Sequence, residues 1–305
     1  MTTYFKRTLF ALAAVAMAAP LAAQAAAATG GDKEVKMMNS FGGACPKCEL
    51  SGRKMAGAHF IGANFGGAAM VGSDLREAKF IASNFASADL SRADLSDSEI
   101  VGANFSGANL SHARLRSTEA RAVNFTGADL TRADLSDVEA TGSVFTRASM
   151  EGVIFRSAEL RATNFSRAQA RGGDFKDSEL VAANLSWGTF DRASFRSTDL
   201  SHAQLTGASF DGADFKDADL SGAMIMGVDL SRARGLDQDQ IDDACSDAKT
   251  RLPGNLIARG CGIRMIRQVG APRMVHVAPG VPAAPPAPPA PPAPPAPRYL
   301  VAMPD

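Results

Sequence analysis

Hydrophobic and polar positions recur every five residues through most of this chain. Between residues 60 and 230, 35 positions end in 0 or 5, and 32 of them carry Phe, Leu, Met or Ile. The residue two positions earlier is always small or β-branched, and 21 of those 35 sites are alanine. Five residues advance an α-helix by about 500° and reverse the face of a straight strand, so neither element fits. The pattern predicts a solenoid that turns once per repeat and buries its apolar sides by stacking.

A second period of 20 residues defines the coil of this solenoid. Asn precedes the large residue every 20 positions from Asn64 to Asn184, interrupted by Val144, and acidic residues recur likewise from Glu99 to Asp219. Four repeats therefore make one four-sided coil, and the 35 repeats predict about nine coils in a rod about 42 Å long. Phe125 and Phe145 should then stack within one strand spacing.

The repeats themselves carry a recognisable motif, A-(D/N)-L-x-x. Examples begin at Ala88, Ala108 and Ala128, each followed by Asp or Asn and then Leu. On this motif, residues 48–232 resemble the pentapeptide repeat protein family. The resemblance implies an all-β solenoid, a right-handed quadrilateral β-helix in which the large residue and the alanine two positions earlier point inward. Members of that family share a fold rather than a task, so the resemblance leaves the function open.

The first residues of the chain predict an export signal over 1–25. A basic start precedes the apolar stretch 8–22, and an A-x-A cleavage site runs from Ala23 to Ala25. A membrane anchor is the alternative, but the apolar stretch is short and Pro20 interrupts it. We therefore expect a periplasmic or secreted protein with no stable membrane span after signal cleavage, in a compartment where disulfides persist.

The remaining segments flank the repeats. Residues 26–47 are assigned to an N-terminal leader or cap, 48–232 to the repeats, 233–268 to a C-terminal cap and 269–305 to a disordered Pro/Ala-rich tail. Pro-Ala repeats at 282–297 predict a polyproline II arm about 50 Å long. The arm is either a passive stalk or a ligand for a Pro-binding groove or the cell wall.

A short capping helix is predicted over 237–249. Asp237 is a suitable N-cap, Gln240 occupies the N3 position of a near capping box, and Leu236 and Ile241 have the spacing of a hydrophobic staple. Because the end of a solenoid exposes core and strand edge, this helix is interpreted as a lid.

Four cysteines form two local pairs at opposite ends of the rod. Cys245 and Cys261 are predicted to form a disulfide, with two buried free thiols as the alternative, whereas bonding between Cys45 and Cys48 is left open. A shared zinc site is implausible across about 42 Å. Some exported relatives resemble this chain at both ends, with C-x-x-C before the repeats and a Cys-containing tail after them. No metal or cofactor is expected.

Two outward features are candidate interaction residues. The first is a corner at which Arg-Ser pairs recur every 40 residues between pairs that contain Asp137 and Asp177. This alternation predicts a ladder of opposite charges that stabilises the stack. The Arg and Lys side chains of the corner could also reach the Glu99 to Asp219 column. The alternative interpretation of the corner is a docking surface. The arginines of this corner are Arg116, Arg156 and Arg196.

The second feature is Trp187, the only tryptophan of the chain. It falls at an outward position with Arg167 one coil before it and Gly207 one coil after it. A cation–π pair with Arg167 is one interpretation, and a binding hot spot is the other.

Charge and residue types limit the possible functions. The chain has 32 basic and 32 acidic residues, which argues against a nucleic-acid partner. The resemblance suggests DNA mimicry that inhibits a topoisomerase, but residues 50–230 carry 18 Lys and Arg against 23 Asp and Glu, a net charge of only −5. Its four histidines form no recognisable catalytic set, so no enzyme is expected. We expect a non-enzymatic scaffold for an unknown protein partner in the cell envelope, of undefined oligomeric state.

Overall fold

Each five-residue repeat folds as a short extended piece followed by a tight turn. The computed structural model describes residues 39–41, 43–258 and 260–261. In a typical repeat the N–H of Ala108 donates to the carbonyl of Phe105 over 3.0 Å, and Gly107 between them has a φ of 63°. A positive φ at the third turn residue is the signature of a type II turn. The same turn recurs from repeat to repeat, and therefore the chain coils in one direction.

Successive coils pair in parallel with an offset of 20 residues. Four strands form one sheet in the order β1 (Asn39–Phe41), β2 (His59–Ile61), β3 (Lys79–Ile81) and β4 (Glu99–Val101). On all four sides, isolated bridges continue the same offset, from Ala44 paired with Asn64 to Asp214 paired with Arg234. These pairings give the 20-residue coil that the sequence predicts.

The interior of the coil is filled by columns of large side chains. Phe125 and Phe145 stack with ring centroids 4.9 Å apart and planes 8° from parallel, as predicted. Facing columns meet edge to face, as Phe145 and Phe155 do at 5.6 Å. Each buried Leu or Phe contributes about 1.5–3 kcal/mol, so the stack is a large favourable contribution to folding.

The ladder is longer than the repeat segment 48–232 at both ends. At the start, β1 already pairs with β2, although residues 26–47 were assigned to a leader or cap. At the end, Asp229 pairs with Arg251, and Ser246 pairs with Gly260. Backbone pairing does not require the side-chain motif, which is why the motif underestimates the extent of the ladder.

The predicted capping helix is present but much shorter than 237–249. Helix α1 spans Gln238–Asp243, with Asp237 as N-cap and a complete capping box to Gln240. It ends there because Cys245 returns to the ladder: its N–H donates to the carbonyl of Ala223 over 2.7 Å. The helix is thus an insertion within a last coil rather than a free lid.

Gln240 joins this helix to the coil beneath it. Its side-chain amide donates to the carbonyls of Phe215 at 3.0 Å and Ala218 at 2.7 Å. Elsewhere in the ladder the carbonyl equivalent to that of Ala218 accepts a backbone N–H from the next coil, as that of Ser98 does from Glu119. The amide therefore replaces a ladder bond that the helix removes.

Two sequence predictions fall on other parts of the chain. The export signal at 1–25 and the Pro/Ala-rich tail at 269–305 lie outside the described residues. Within the described ranges, the one helix is too short and too polar to span a bilayer.

Candidate interaction surface

The arginines of the predicted corner pair with aspartates one coil further along. Arg156 Nε lies 2.5 Å from Asp174 Oδ2, and Arg196 Nη1 lies 3.3 Å from Asp214 Oδ2. Arg116 Nε lies 3.4 Å from Asp134 in the same way. The charge ladder therefore exists, but the acids that pair with these arginines are Asp134, Asp174 and Asp214 rather than the predicted Asp137 and Asp177. Asp177 pairs instead with Lys176 of the same corner, at 3.3 Å.

The Glu99 to Asp219 column is partly neutralised by cations on its own face. Lys79 Nζ lies 2.5 Å from Glu99, and this hydrogen bond raises the pKa of Lys79. Arg121 contacts both Glu119 and Glu139, while Arg161 pairs with Glu179. The cations that serve this column thus come from its own face and not from the Arg116, Arg156 and Arg196 corner.

The Asn column forms a hydrogen-bonded ladder. The Nδ2 of Asn84 donates to Oδ1 of Asn64 over 2.9 Å, and Asn104 and Asn124 repeat the contact at 3.1 and 3.2 Å. Each Oδ1 also accepts the backbone N–H two residues later, as that of Asn84 does from Ala86. Stacked amides therefore stabilise both the turn and the stack.

One side of the rod has no charged residue at its outward positions, although Arg147 and Arg167 border it in the corner column of Trp187. We call this side the Asn face: the outward positions immediately before and after the column that runs from Phe65 to Ile225. Its 18 positions, from Asn64 to Met226, hold Asn, Gln, Ser, Thr, Gly, Ala, Val and Met. Its C-terminal end is apolar, where Met224 is 41% exposed and Met226 lies 4.0 Å from the sulfur of Cys261.

Trp187 lies at the edge of the Asn face, on the corner that leads to the next side. Its side chain is 65% exposed and its φ is +60°. A Cβ built on Gly207 would come within 2.5 Å of Trp187 Cε3, so the indole rests on that glycine. Only glycine leaves room for the ring there. The contact in the structure is therefore with Gly207, and the pairing with Arg167 stays a prediction.

The next side of the rod contains a groove beside Trp187. This open groove has a volume of about 580 Å³ and lies between the corner glycines Gly207 and Gly227 and the side chains of Arg232 and Arg251. A second groove of about 350 Å³ lies on the same side, on the preceding coils towards the N-terminus, and Asp211 lines both grooves.

The structure joins both cysteine pairs as disulfides. The Cα atoms are 5.4 Å apart in Cys45–Cys48 and 4.5 Å apart in Cys245–Cys261, distances that a disulfide accommodates. The oxidation of the pairs in the protein stays a prediction. Across the described ranges, no cluster of three His, Cys, Asp or Glu side chains has the arrangement of a metal site.

Sequence reasoning missed the Asn face and the groove for different reasons. The first could have been found by sorting charges into the 20-residue columns, which isolates one column pair without Asp, Glu, Lys or Arg. The groove exists because the long side chains of Arg232 and Arg251 project from the surface beside small residues. No sequence period reports that projection.

Comparison with known proteins identifies related repeats. A model described as "Pentapeptide repeat region" matches residues 70–145, and one described as "Pentapeptide repeats (8 copies)" matches four overlapping segments within 141–232. Together they cover just over half of the 305 residues. None of the curated proteins matches this chain in sequence.

Solved structures include similar pentapeptide repeat proteins. HetL, involved in heterocyst differentiation regulation in the cyanobacterium Nostoc sp. strain PCC 7120, is 22% identical, with 72% of this chain and 88% of HetL covered and a TM-score of 0.34. A trypsin-treated variant of QnrB1, a plasmid-mediated fluoroquinolone resistance protein, is 16% identical, with coverages of 70% and 92% and a TM-score of 0.38.

Proposed function

We propose that this chain, which belongs to the pentapeptide repeat family, is a non-enzymatic scaffold that binds a protein partner through its Asn face. Members of this family form right-handed quadrilateral β-helices and are in general structural or binding proteins. The proposed place of action is the cell envelope or the exterior, on the strength of the export signal predicted at 1–25.

The observation that carries the proposal is the absence of charge on the Asn face. Other sides of the rod bear ion pairs such as Arg156–Asp174 and Lys79–Glu99. Removing charges from water is costly, whereas a flat face of amides, hydroxyls and methyl groups is desolvated at a smaller cost. Charge depletion at the centre of a contact patch is also what distinguishes protein interfaces from other surface.

The DNA-mimic role finds little support in this charge distribution. A mimic of DNA needs a dense negative surface. Here three cations, Lys79, Arg121 and Arg161, pair with four of the seven acids in the Glu99 to Asp219 column, which lowers its charge density. Topoisomerase inhibition is therefore kept only as the less favoured alternative.

Crosslinking with two matched variants tests the proposal. Thr126 lies on the Asn face and Thr131 lies one repeat later on the adjacent side; both are half-buried and follow the large core residue. We expect Thr126→Lys to abolish the envelope crosslinks of the wild-type protein and Thr131→Lys to preserve them. Equal crosslinking by both variants, or recovery of the wild-type protein from the cytoplasm, would contradict the proposal.

A further inference from the structure

The groove beside Trp187 has the properties of a ligand site distinct from the Asn face. Its volume of 580 Å³ lies within the usual range for small-molecule sites. Small residues form its floor, which leaves backbone and short side chains accessible. The lining residues are Gly207, Ala208, Ser209, Asp211, Gly227 and Asp229, followed by Ser231, Arg232 and Arg251.

Trp187 supplies a fixed flat surface next to this groove, because it packs on the lining residue Gly207 without itself lining the groove. One side of the indole is covered by Gly207, while 65% of the side chain remains exposed. The ring is thus supported from beneath and open above. A large apolar surface held in this way costs little conformational entropy when a ligand stacks on it.

The polar groups of the groove are paired acids and bases. Arg232 Nη1 lies 3.3 Å from Asp211 Oδ2, and Arg251 Nη1 lies 3.3 Å from Asp229 Oδ2. Hydrogen bonds from Ser231 lower the pKa of Asp229, so this carboxylate is ionised at neutral pH. The two pairs have no net charge, yet they present planar acceptors and donors in alternation.

We propose that this groove binds a neutral oligosaccharide, with one sugar ring stacked on Trp187 and its hydroxyls bound by the Asp211–Arg232 and Asp229–Arg251 pairs. Vicinal hydroxyls are donors and acceptors at once, so they match a carboxylate beside a guanidinium. Because the two acids offset the two arginines, the net charge of the site gives an anionic ligand no advantage over a neutral one. An apolar peptide side chain finds no deep pocket among these polar walls.

The second groove extends the site along the rod. It continues from Asp211 to the pair formed by Arg171 and Asp191, whose Nε and Oδ2 lie 3.5 Å apart. The same chemistry therefore repeats on successive coils, which suits a linear chain of several sugars rather than a monosaccharide. This inference is independent of the protein-binding role proposed for the Asn face.

Tryptophan fluorescence offers a direct test, because Trp187 is the only tryptophan of the chain. The probes are cellotetraose, chitotetraose and maltotetraose, each titrated into the wild-type protein to about 10 mM, where even weak sites fill. We expect at least one tetrasaccharide to produce a saturable change in emission. No saturable change with any of the three overturns the proposal.

Two variants and a control, measured by calorimetry with the tetrasaccharide that binds, locate the site. Trp187 has a positive φ, and the equivalent position of the next coil is already a glycine, Gly207. The fold should therefore tolerate Trp187→Gly. We expect it to weaken binding by at least about tenfold, and Arg232→Ala by about threefold. Arg147→Gly makes the same change two coils earlier in the same corner column and should leave binding unaltered. Wild-type affinity in Trp187→Gly, or an equal loss in Arg147→Gly, overturns the assignment.

Discussion

An outward carboxylate or amide in this rod first satisfies its own turn and then meets a neighbouring coil. Asp174 Oδ1 accepts the N–H of Lys176 over 3.2 Å, while its Oδ2 binds Arg156. Asn84 does the same with Ala86 and Asn64. The preference for Asp or Asn before the large residue thus follows from hydrogen bonding within the turn, and the ion pair uses the oxygen that remains.

Neutralising Asp174 should destabilise the protein slightly and in a salt-dependent way. Asp174→Asn keeps an oxygen for the Lys176 N–H but loses the attraction to Arg156, so we expect a loss of about 0.5 kcal/mol at low salt. Chemical denaturation at low and high salt measures the difference in unfolding free energy between the variant and the wild type. This difference should shrink as salt screens the Arg156–Asp174 pair.

Asp137→Asn is the matched control for that change. Asp137 is the partner that the sequence suggested for Arg156, but it lies on the turn at a φ of 58°. If Asp137→Asn gave the larger salt-dependent loss, the pairing in the structure would be wrong.

Sequence period alone assigns columns correctly but not contacts between them. Arg156 and Asp137 belong to the same corner, so column reasoning placed them together. The observed partner lies 18 residues further along because the long arginine side chain crosses diagonally to the next coil. Side-chain length and direction, which the period does not contain, decide the pairing.

Side-chain hydrogen bonds to Asp247 help to hold the C-terminal cap on the coil below. Asp247 Oδ1 accepts from the N–H groups of Gly227 at 2.9 Å and Thr250 at 3.0 Å, and from Thr250 Oγ1 at 2.9 Å. The hydrogen bond from Gly227 is the leading cause of a lowered pKa for Asp247. One carboxylate therefore ties the last coil to the coil below.

The cap should loosen in acid as Asp247 takes up a proton. A carboxyl whose pKa is lowered by folding stabilises the protein above its unfolded pKa of about 3.9, and this contribution is lost as the pH falls through the lower folded value. Asp247→Asn should therefore lower the thermal midpoint at pH 7, with a deficit that narrows below about pH 4. The exposed Asp239→Asn is the control. A deficit constant from neutral to acid pH would refute the role of this charge.

The disulfide between Cys245 and Cys261 should fasten this cap. Their separation of 16 residues closes a short loop, for which chain entropy predicts about 3 kcal/mol of stabilisation. Peptide mapping of exported protein under non-reducing conditions should recover the two cysteines in one linked species. Separately alkylated Cys245 and Cys261 would instead show two free thiols.

Helix α1 shows where local sequence signals are sufficient and where they fail. Asp237 and Gln240 fixed its start correctly, because a capping box is a contact between neighbours in sequence. Its end depends on Cys245 meeting Ala223, a contact 22 residues away. A boundary set by pairing between coils is invisible to helix propensity.

At the scale of the whole molecule, the 20-residue coil separates stability from recognition. Every side contributes an inner column of apolar residues to the core, and the stack from Phe65 to Phe165 is the column of one side. The outer columns differ from side to side, with amides on one, ion pairs on another and the groove on a third. Each outer surface can therefore change without disturbing the core. The repeat motif makes the core predictable from the sequence, but it does not specify the outer surfaces.

Deletion of one whole coil should test this separation. Removing residues 105–124 joins Asn104 to Phe125 and returns every column to register, so a shorter rod should unfold cooperatively with a modestly lower midpoint. Removing only residues 105–114 keeps the five-residue period but turns the remaining coils by half. It places Asn124 over Asp94 and Asp134 over Asn104, and so breaks the amide ladder after Asn104. We expect the shorter deletion to be the more destabilising of the two, by circular dichroism melting. Equal melting of both variants would mean that the five-residue period alone, and not the 20-residue columns, stabilises the rod.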